Sequence, residues 1–177
     1  MSGPMTITDP AGSDSALKPR GLIRPLRAAD RAPLITILRA TQVFTNEEIE
    51  VALELIDAVL DRPDQSDYII FVYEEEGAVR GYCCVGPTPA TASTYDLYWI
   101  AVDPSVHGKG VGTLLNDYAE TLIRSRGGSL IMVETSSRKD YDPTRAFYRR
   151  RGYKELARVR DYYRPGDDLV IFGKYLS

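Results

Sequence analysis

Ile100-Ala101-Val102-Asp103-Pro104-Ser105-Val106-His107-Gly108-Lys109-Gly110-Val111-Gly112 is the stretch on which the fold turns. Its apolar start ends a strand predicted over about Thr94 to Val102, Asp103-Pro104 breaks that strand, and glycines carry the chain into a helix. Val111, Leu114, Leu115, Tyr118, Leu122 and Ile123 then recur at helical spacing until Gly127-Gly128 stops them. At a helix start the backbone N–H groups lack partners and carry partial positive charge, so glycines that admit an anion make a pyrophosphate cradle. Lys109 adds a full charge. The nucleotide P-loop is excluded, because it needs Lys then Ser or Thr after its last glycine; the dinucleotide fingerprint is excluded because Thr113 stands where its third glycine belongs. Taken alone, the glycines also suit a plain tight turn.

Upstream, residues 1–20 carry Gly, Pro, Ser, Asp and Thr without an apolar period, which predicts a flexible tail ahead of one domain over 21–177. A short strand at Leu22–Leu26 precedes a helix from about Asp30 to Ala40, with Pro33 in its first turn. Thr45 and Glu48 form a capping-box pattern ahead of a helix reaching about Leu60. Tyr68–Glu74 and Val79–Val85 are rich in β-branched and aromatic residues and predict a hairpin turning at Glu75-Glu76-Gly77.

Downstream of the long helix, Ser129–Thr135 predicts a buried strand. Asp142-Pro143 opens a helix, with Asp as cap and Pro at the first helical position, that ends in Arg149, Arg150 and Arg151 before Gly152. Tyr153–Val159 and Leu169–Tyr175 predict a terminal hairpin. The order β-α-α-β-β-β-α-β-α-β-β is an α/β (α+β) mixture without internal repeats.

The whole chain has 177 residues, 44% of them hydrophobic, enough for one sizeable core. A formal charge of −3 argues against a nucleic-acid partner. No apolar run approaches the roughly 20 residues that span a bilayer, and the start lacks a signal-peptide pattern, so a cytoplasmic location without membrane partners is expected. Cys83 and Cys84 are adjacent, which suits neither a disulfide framework nor zinc; with His107 the sole histidine, no metal is expected.

His107 through Gly112 resembles the acetyl-CoA loop of the GCN5-related N-acetyltransferase (GNAT) family, which has Gln or Arg, two residues, Gly, one residue, then Gly or Ala. His107 departs from it at the first position but still offers a ring donor. Val102-Asp103-Pro104 resembles the family's lead-in, and the element order agrees from about Gly21 to Tyr175. The resemblance implies a twisted, mostly antiparallel sheet that splays between the strands at Thr94–Val102 and Ser129–Thr135. It also implies acetyl-CoA as co-substrate, its pantetheine amides on the backbone of Ile100, Ala101 and Val102 and its pyrophosphate on His107, Gly108, Lys109, Gly110, Val111, Gly112 and Thr113.

Ala146-Phe147-Tyr148-Arg149-Arg150-Arg151-Gly152-Tyr153 is similar to a second family segment. Tyr148 stands where the family often places a tyrosine that protonates the departing thiolate, a role open to a hydroxyl of pKa about 10. Its alternative is an aromatic on the buried face of the helix. The family's cofactor-contacting Asn, seven residues earlier, is replaced by Tyr141.

Amine attack on a thioester needs a neutral amine, so a base is expected nearby. Asp96, on one strand face with Tyr98, is one candidate, and Glu134 on the neighbouring strand is the other; either equally suits a substrate-ammonium anchor or a solvated charge. Arg160-Asp161-Tyr162-Tyr163-Arg164-Pro165-Gly166-Asp167-Asp168 resembles the segment with which ribosomal-protein N-terminal acetyltransferases hold a peptide terminus, and Tyr162 and Tyr163 are equally suited to packing a hairpin. The acceptor expected first is a small-molecule amine, with a peptide or protein amine as alternative and a silent acyl-CoA sensor as the rival class. The expected assembly is a monomer or homodimer.

Overall fold

Residues 21–176 are described by the computed structural model, so the tail expected over 1–20 lies outside the described residues. In chain order the elements are β1 (Leu22–Pro25), α1 (Arg31–Ala40), α2 (Asn46–Asp61), β2 (Ile69–Glu75), β3 (Ala78–Pro87), β4 (Thr94–Val102), α3 (Val111–Ser125), β5 (Leu130–Ser136), α4 (Asp142–Arg150), β6 (Lys154–Arg164) and β7 (Asp167–Tyr175). The predicted order holds throughout. The strands form one seven-stranded sheet in the order β1-β2-β3-β4-β5-β7-β6. β1 with β2, β5 with β7 and β6 with β7 are antiparallel, and β4 with β5 is parallel. Among the described residues no helix is long and apolar enough to cross a membrane.

The described residues gather into two compact units, one of 21–84 with 99–117, the other of 85–98 with 118–176. In the first, Leu34, Leu38 and Ile56 from α1 and α2 and Val72 and Tyr73 from β2 are fully buried. The Thr45 cap forms as the sequence predicts: Glu48 N–H donates to Thr45 Oγ1 at 3.2 Å while Thr45 N–H donates to Glu48 Oε2 at 2.7 Å. An ion network, buried at Arg24 and Asp30, binds β1 to β2. Arg24 donates to both oxygens of Asp30, at 2.7 and 2.9 Å, and through Nε to Glu74 at 2.7 Å.

The second unit is built on the β5–β7–β6 ladder, whose buried face carries Ile131, Val133, Val170 and Phe172. Lys174 Nζ on β7 donates to Glu120 Oε1 of α3 at 2.7 Å and to the Arg151 carbonyl at 2.8 Å, so one ammonium satisfies a buried carboxylate and the end of α4.

Two local expectations change. Asp142 is the first residue of α4, and Tyr141 holds the cap position without a side-chain cap bond. The Asp142 carboxylate instead accepts from the Arg145 guanidinium one turn on. The terminal hairpin is also longer than predicted, because β6 runs on to Arg164 and only Pro165-Gly166 turns. All eleven residues of β6 are exposed, so no apolar alternation marks its second half.

Candidate active site

The glycine loop is braced from its own lead-in. Asp103 accepts from Ser105 N–H at 2.9 Å and from Arg80 at 3.0 Å, and Val106 is buried, so the short 3-10 turn Pro104–Val106 sets the loop's direction. Gly108 and Gly110 have φ of +76° and +85°, a region costly to any residue with a Cβ. A Cβ at Gly108 would meet nothing within 4 Å, so backbone conformation, not crowding, calls for glycine there. The first bond closing the helix runs from Leu114 N–H to the Gly110 carbonyl at 3.0 Å. The amides of Val111, Gly112 and Thr113 therefore precede the helix's own bonding, and among the described residues they remain available to an anion. These features, with Lys109 exposed beside them, fit a pyrophosphate.

His107 Nε2 lies 2.9 Å from the Val102 carbonyl oxygen, which can only accept, so Nε2 carries the proton and the ring is tied to the end of β4. The parallel ladder between β4 and β5 pairs Thr94, Tyr95 and Asp96 with Leu130, Ile131 and Met132. Ile100, Ala101 and Val102 lie farther along β4 than these pairs.

Asp96 is opposite Met132, and Glu134 stands two residues on along β5, so both carboxylates project from one face of the sheet. Thr88 Oγ1 donates to Asp96 Oδ2 at 2.8 Å and fixes that side chain. Glu134 is an exposed residue of β5, yet its carboxyl is held above its ordinary range, first by partial loss of the water around it and next by the charge on Asp96. The structure thus brings together the two carboxylates that the sequence offers as bases.

Tyr148, on α4, is 2% exposed and packs edge-on against Tyr153 and Phe147, with ring centroids 5.3 and 5.4 Å away. Tyr141 is buried with the Arg138 guanidinium 5.1 Å from its ring centroid. Tyr98 is partly buried on β4. Tyr162 and Tyr163 are exposed on β6 and meet edge to face at 5.0 Å.

Sequence reasoning missed Arg145. Its buried guanidinium donates to the carbonyls of Ser136 and Arg138 and to Asp142, joining the end of β5 to the start of the helix that carries Tyr148. An arginine in mid-helix gives no local sign of burial. Thr88, which orients Asp96 from eight residues away, was missed because a loop threonine gives no local sign of the partner it will meet.

Residues 66–155 match the family described as Acetyltransferase (GNAT) domain. Over 91 residues the chain is 35% identical to N-alpha-acetyltransferase RimI of Mycobacterium tuberculosis, a match covering 50% of this chain and 53% of that protein, so the chain spans about half the length of this curated relative. A crystal structure of a GNAT-family protein from Desulfovibrio desulfuricans superposes with a TM-score of 0.85 at 37% identity, over 89% of this chain and 99% of that one. An aminoglycoside 6'-N-acetyltransferase complexed with coenzyme A shares the fold, with a TM-score of 0.70 at 17% identity over 88% of this chain and 97% of that one. With a family match over half of its length and a 37% identical relative covered almost end to end, the chain belongs to the GNAT acetyltransferase family.

Proposed function

We propose that the protein transfers an acetyl group from acetyl-CoA to a primary amine by direct attack in a ternary complex. The observation that carries this reading beyond CoA binding is the Asp96–Glu134 pair: two carboxylates on one face of the sheet, one of them made more basic than an ordinary glutamate, offer a proton acceptor to an amine, and a silent sensor has no use for one. Acetyl-CoA supplies the activated acyl thioester. The amides of Val111, Gly112 and Thr113 at the helix start and the Lys109 ammonium hold the pyrophosphate over the loop that His107, Gly108 and Gly110 shape, the backbone of Ile100, Ala101 and Val102 bonds the pantetheine amides, and Tyr141 takes the place of the family's Asn.

Glu134 takes the proton of an acceptor ammonium whose pKa is about 10, and Asp96 attracts that cation and keeps the Glu134 carboxyl basic. Tyr98, Tyr162 and Tyr163 contact the acceptor. Tyr148 donates its hydroxyl proton to the leaving sulfur. Because a thiolate already leaves tolerably well, Tyr148→Phe is expected to lower kcat by about 10- to 100-fold, at or below the lower end of general-acid effects, with acetyl-CoA affinity unchanged by calorimetry. An unaltered kcat would remove Tyr148 from the mechanism.

A small-molecule amine is the first acceptor reading. A peptide α-amine is the second, supported by the name of the Mycobacterium tuberculosis relative. Free-thiol release from acetyl-CoA across polyamines, amino acids, aminoglycosides and short peptides tests both. Turnover with one class assigns the acceptor, and calorimetric binding of acetyl-CoA without turnover on any of them points to the sensor instead.

A further inference from the structure

The sheet face that carries Asp96 and Glu134 can be followed outward from β5, because residues directly opposite one another in a ladder share a face. Met132 is opposite Gly173 on β7, and Gly173 is opposite Lys154 on β6. Glu134 is opposite Ile171 and then Ala157, and Ser136 is opposite Leu169 and then Val159. Leu156 is the extra residue of the irregularity between Glu155 and Ala157. A Cβ on Gly173 would collide with Leu156 Cδ1 and come within 3.4 Å of Met132 Sδ, so glycine there lets those two side chains meet across β7 on this same face. The helices take the other side: Tyr148 of α4 meets Phe172 with ring centroids 6.2 Å apart, and Glu120 of α3 accepts from Lys174, both on the alternate residues of β7.

Glu134 thus stands within an apolar strip that crosses three strands. Leu156 and Val159 are each 45% exposed, and Met132 and Ile171 are partly buried. One exposed leucine needs no explanation. Two exposed apolar side chains in the rows on either side of a carboxylate form a surface that a ligand would keep from water. The strip is charged at both ends. Asp96 and Glu134 supply negative charge on β4 and β5, while Lys154, at the β6 edge, is exposed and makes no ion pair among the described residues. Two strand spacings, about 10 Å, separate β5 from β6. An ammonium at the carboxylates therefore has an apolar floor ahead of it, and a second ammonium at the far end would meet Lys154.

We infer that Met132, Ile171, Leu156 and Val159 form a specificity strip for the acceptor, and that the acceptor class is a primary amine bearing an extended apolar chain, not a polyamine. The inference rests on the transferase reading above, in which Glu134 takes the proton of the acceptor ammonium and the pantetheine arm lies on β4. With its head at Glu134 and the coenzyme on that side, the acceptor leaves in the other direction, over β7 and β6.

The test titrates amines into the full chain, labelled with 13C at its methionine methyl groups and saturated with CoA so that no turnover occurs. The chain has three methionines, and Met132→Leu identifies the Met132 signal. Propylamine, butylamine, pentylamine and hexylamine are expected to move that signal in a saturable manner, with Kd falling about 2- to 4-fold for each added methylene, the worth of burying one. The doubly charged 1,6-diaminohexane is expected to bind at least about 5-fold more weakly than hexylamine, since its second charge gives up apolar burial and meets Lys154. Leu156→Ser should flatten the chain-length trend, and Leu156→Met should restore it.

A Kd independent of chain length, diaminohexane binding as tightly as hexylamine, a trend that Leu156→Ser leaves unchanged, or a Met132 signal that no amine moves while CoA binds overturns the inference and leaves the transferase reading standing. Failure of CoA to bind in the control titration overturns that reading and the inference with it. If Leu156→Ser does not fold, the wild-type titration alone decides.

Discussion

Glu134→Gln is expected to lower kcat by about 10²- to 10⁴-fold, the range over which a positioned general base contributes, while leaving acetyl-CoA binding intact. In the wild type, kcat/KM should rise with pH through the Glu134 pKa, which burial and the Asp96 charge place above the ordinary glutamate range. The glutamine variant should lose that limb. Asp96→Asn removes the neighbouring charge, so it should keep the limb and move it to lower pH. A wild-type profile with no ionisation attributable to Glu134, or one unchanged in Glu134→Gln, would transfer the proton to another route.

The same substitution carries a stability sign. A carboxyl whose folded pKa is raised favours the fold in its protonated form; that contribution is complete below its unfolded pKa of about 4.3 and is lost as pH rises through the folded value. At pH 7 to 8 the ionised Glu134 therefore works against folding, and Glu134→Gln should melt at a higher temperature than the wild type. Near pH 4 the two should melt nearly together. Activity and stability should move in opposite directions at one residue, the pattern of a strained functional group.

Arg24→Met should cost about 3–5 kcal/mol of unfolding free energy, read from urea midpoints at pH 7, because it leaves the buried Asp30 carboxylate without its partner. Arg24 is 7% exposed and Asp30 4%, so water cannot replace the missing guanidinium. The loss is a large part of the roughly 5–15 kcal/mol that holds a typical domain. Burial alone would push the Asp30 carboxyl up, but the bonds from the Arg24 side chain and the Arg27 backbone together carry it below the ordinary aspartate range. Its contribution to stability is thus present above the unfolded pKa of about 3.9 and fades as pH falls through the folded value. The gap between Arg24→Met and wild type should narrow in acid. Arg24→Lys keeps the charge but not the forked geometry, and should fall between the two.

How much of this was legible in the sequence depends on how far apart the partners lie. The Thr45–Glu48 box is a contact over three residues, and it formed as read. The strand–glycine–helix passage from Ile100 to Gly112 was legible because conformational demand at glycine is local. Arg24 with Glu74 spans fifty residues, and Arg145 reaches back nine to Ser136, so neither partnership leaves a periodic trace. Asp142 shows the converse error: an Asp-Pro pair suits a cap, but the helix begins one residue earlier than that reading has it and the carboxylate accepts from an arginine one turn on. The second half of β6 was illegible because an exposed strand has no alternation to display. That Asp96 and Glu134 share a face follows from the ladder's register, which the sequence does not state.

Cys83 and Cys84 are both fully enclosed and unpaired. Burial holds Cys83 well above the ordinary thiol range and pushes Cys84 up to about 12. A thiol dye added to the folded protein should therefore see almost nothing of the chain itself, and colour in a CoA-release assay belongs to the released coenzyme alone. When the fold opens, the same two sulfurs become titratable at once. One reagent can then time catalysis in the native protein and count unfolded molecules in a heated or urea-treated sample.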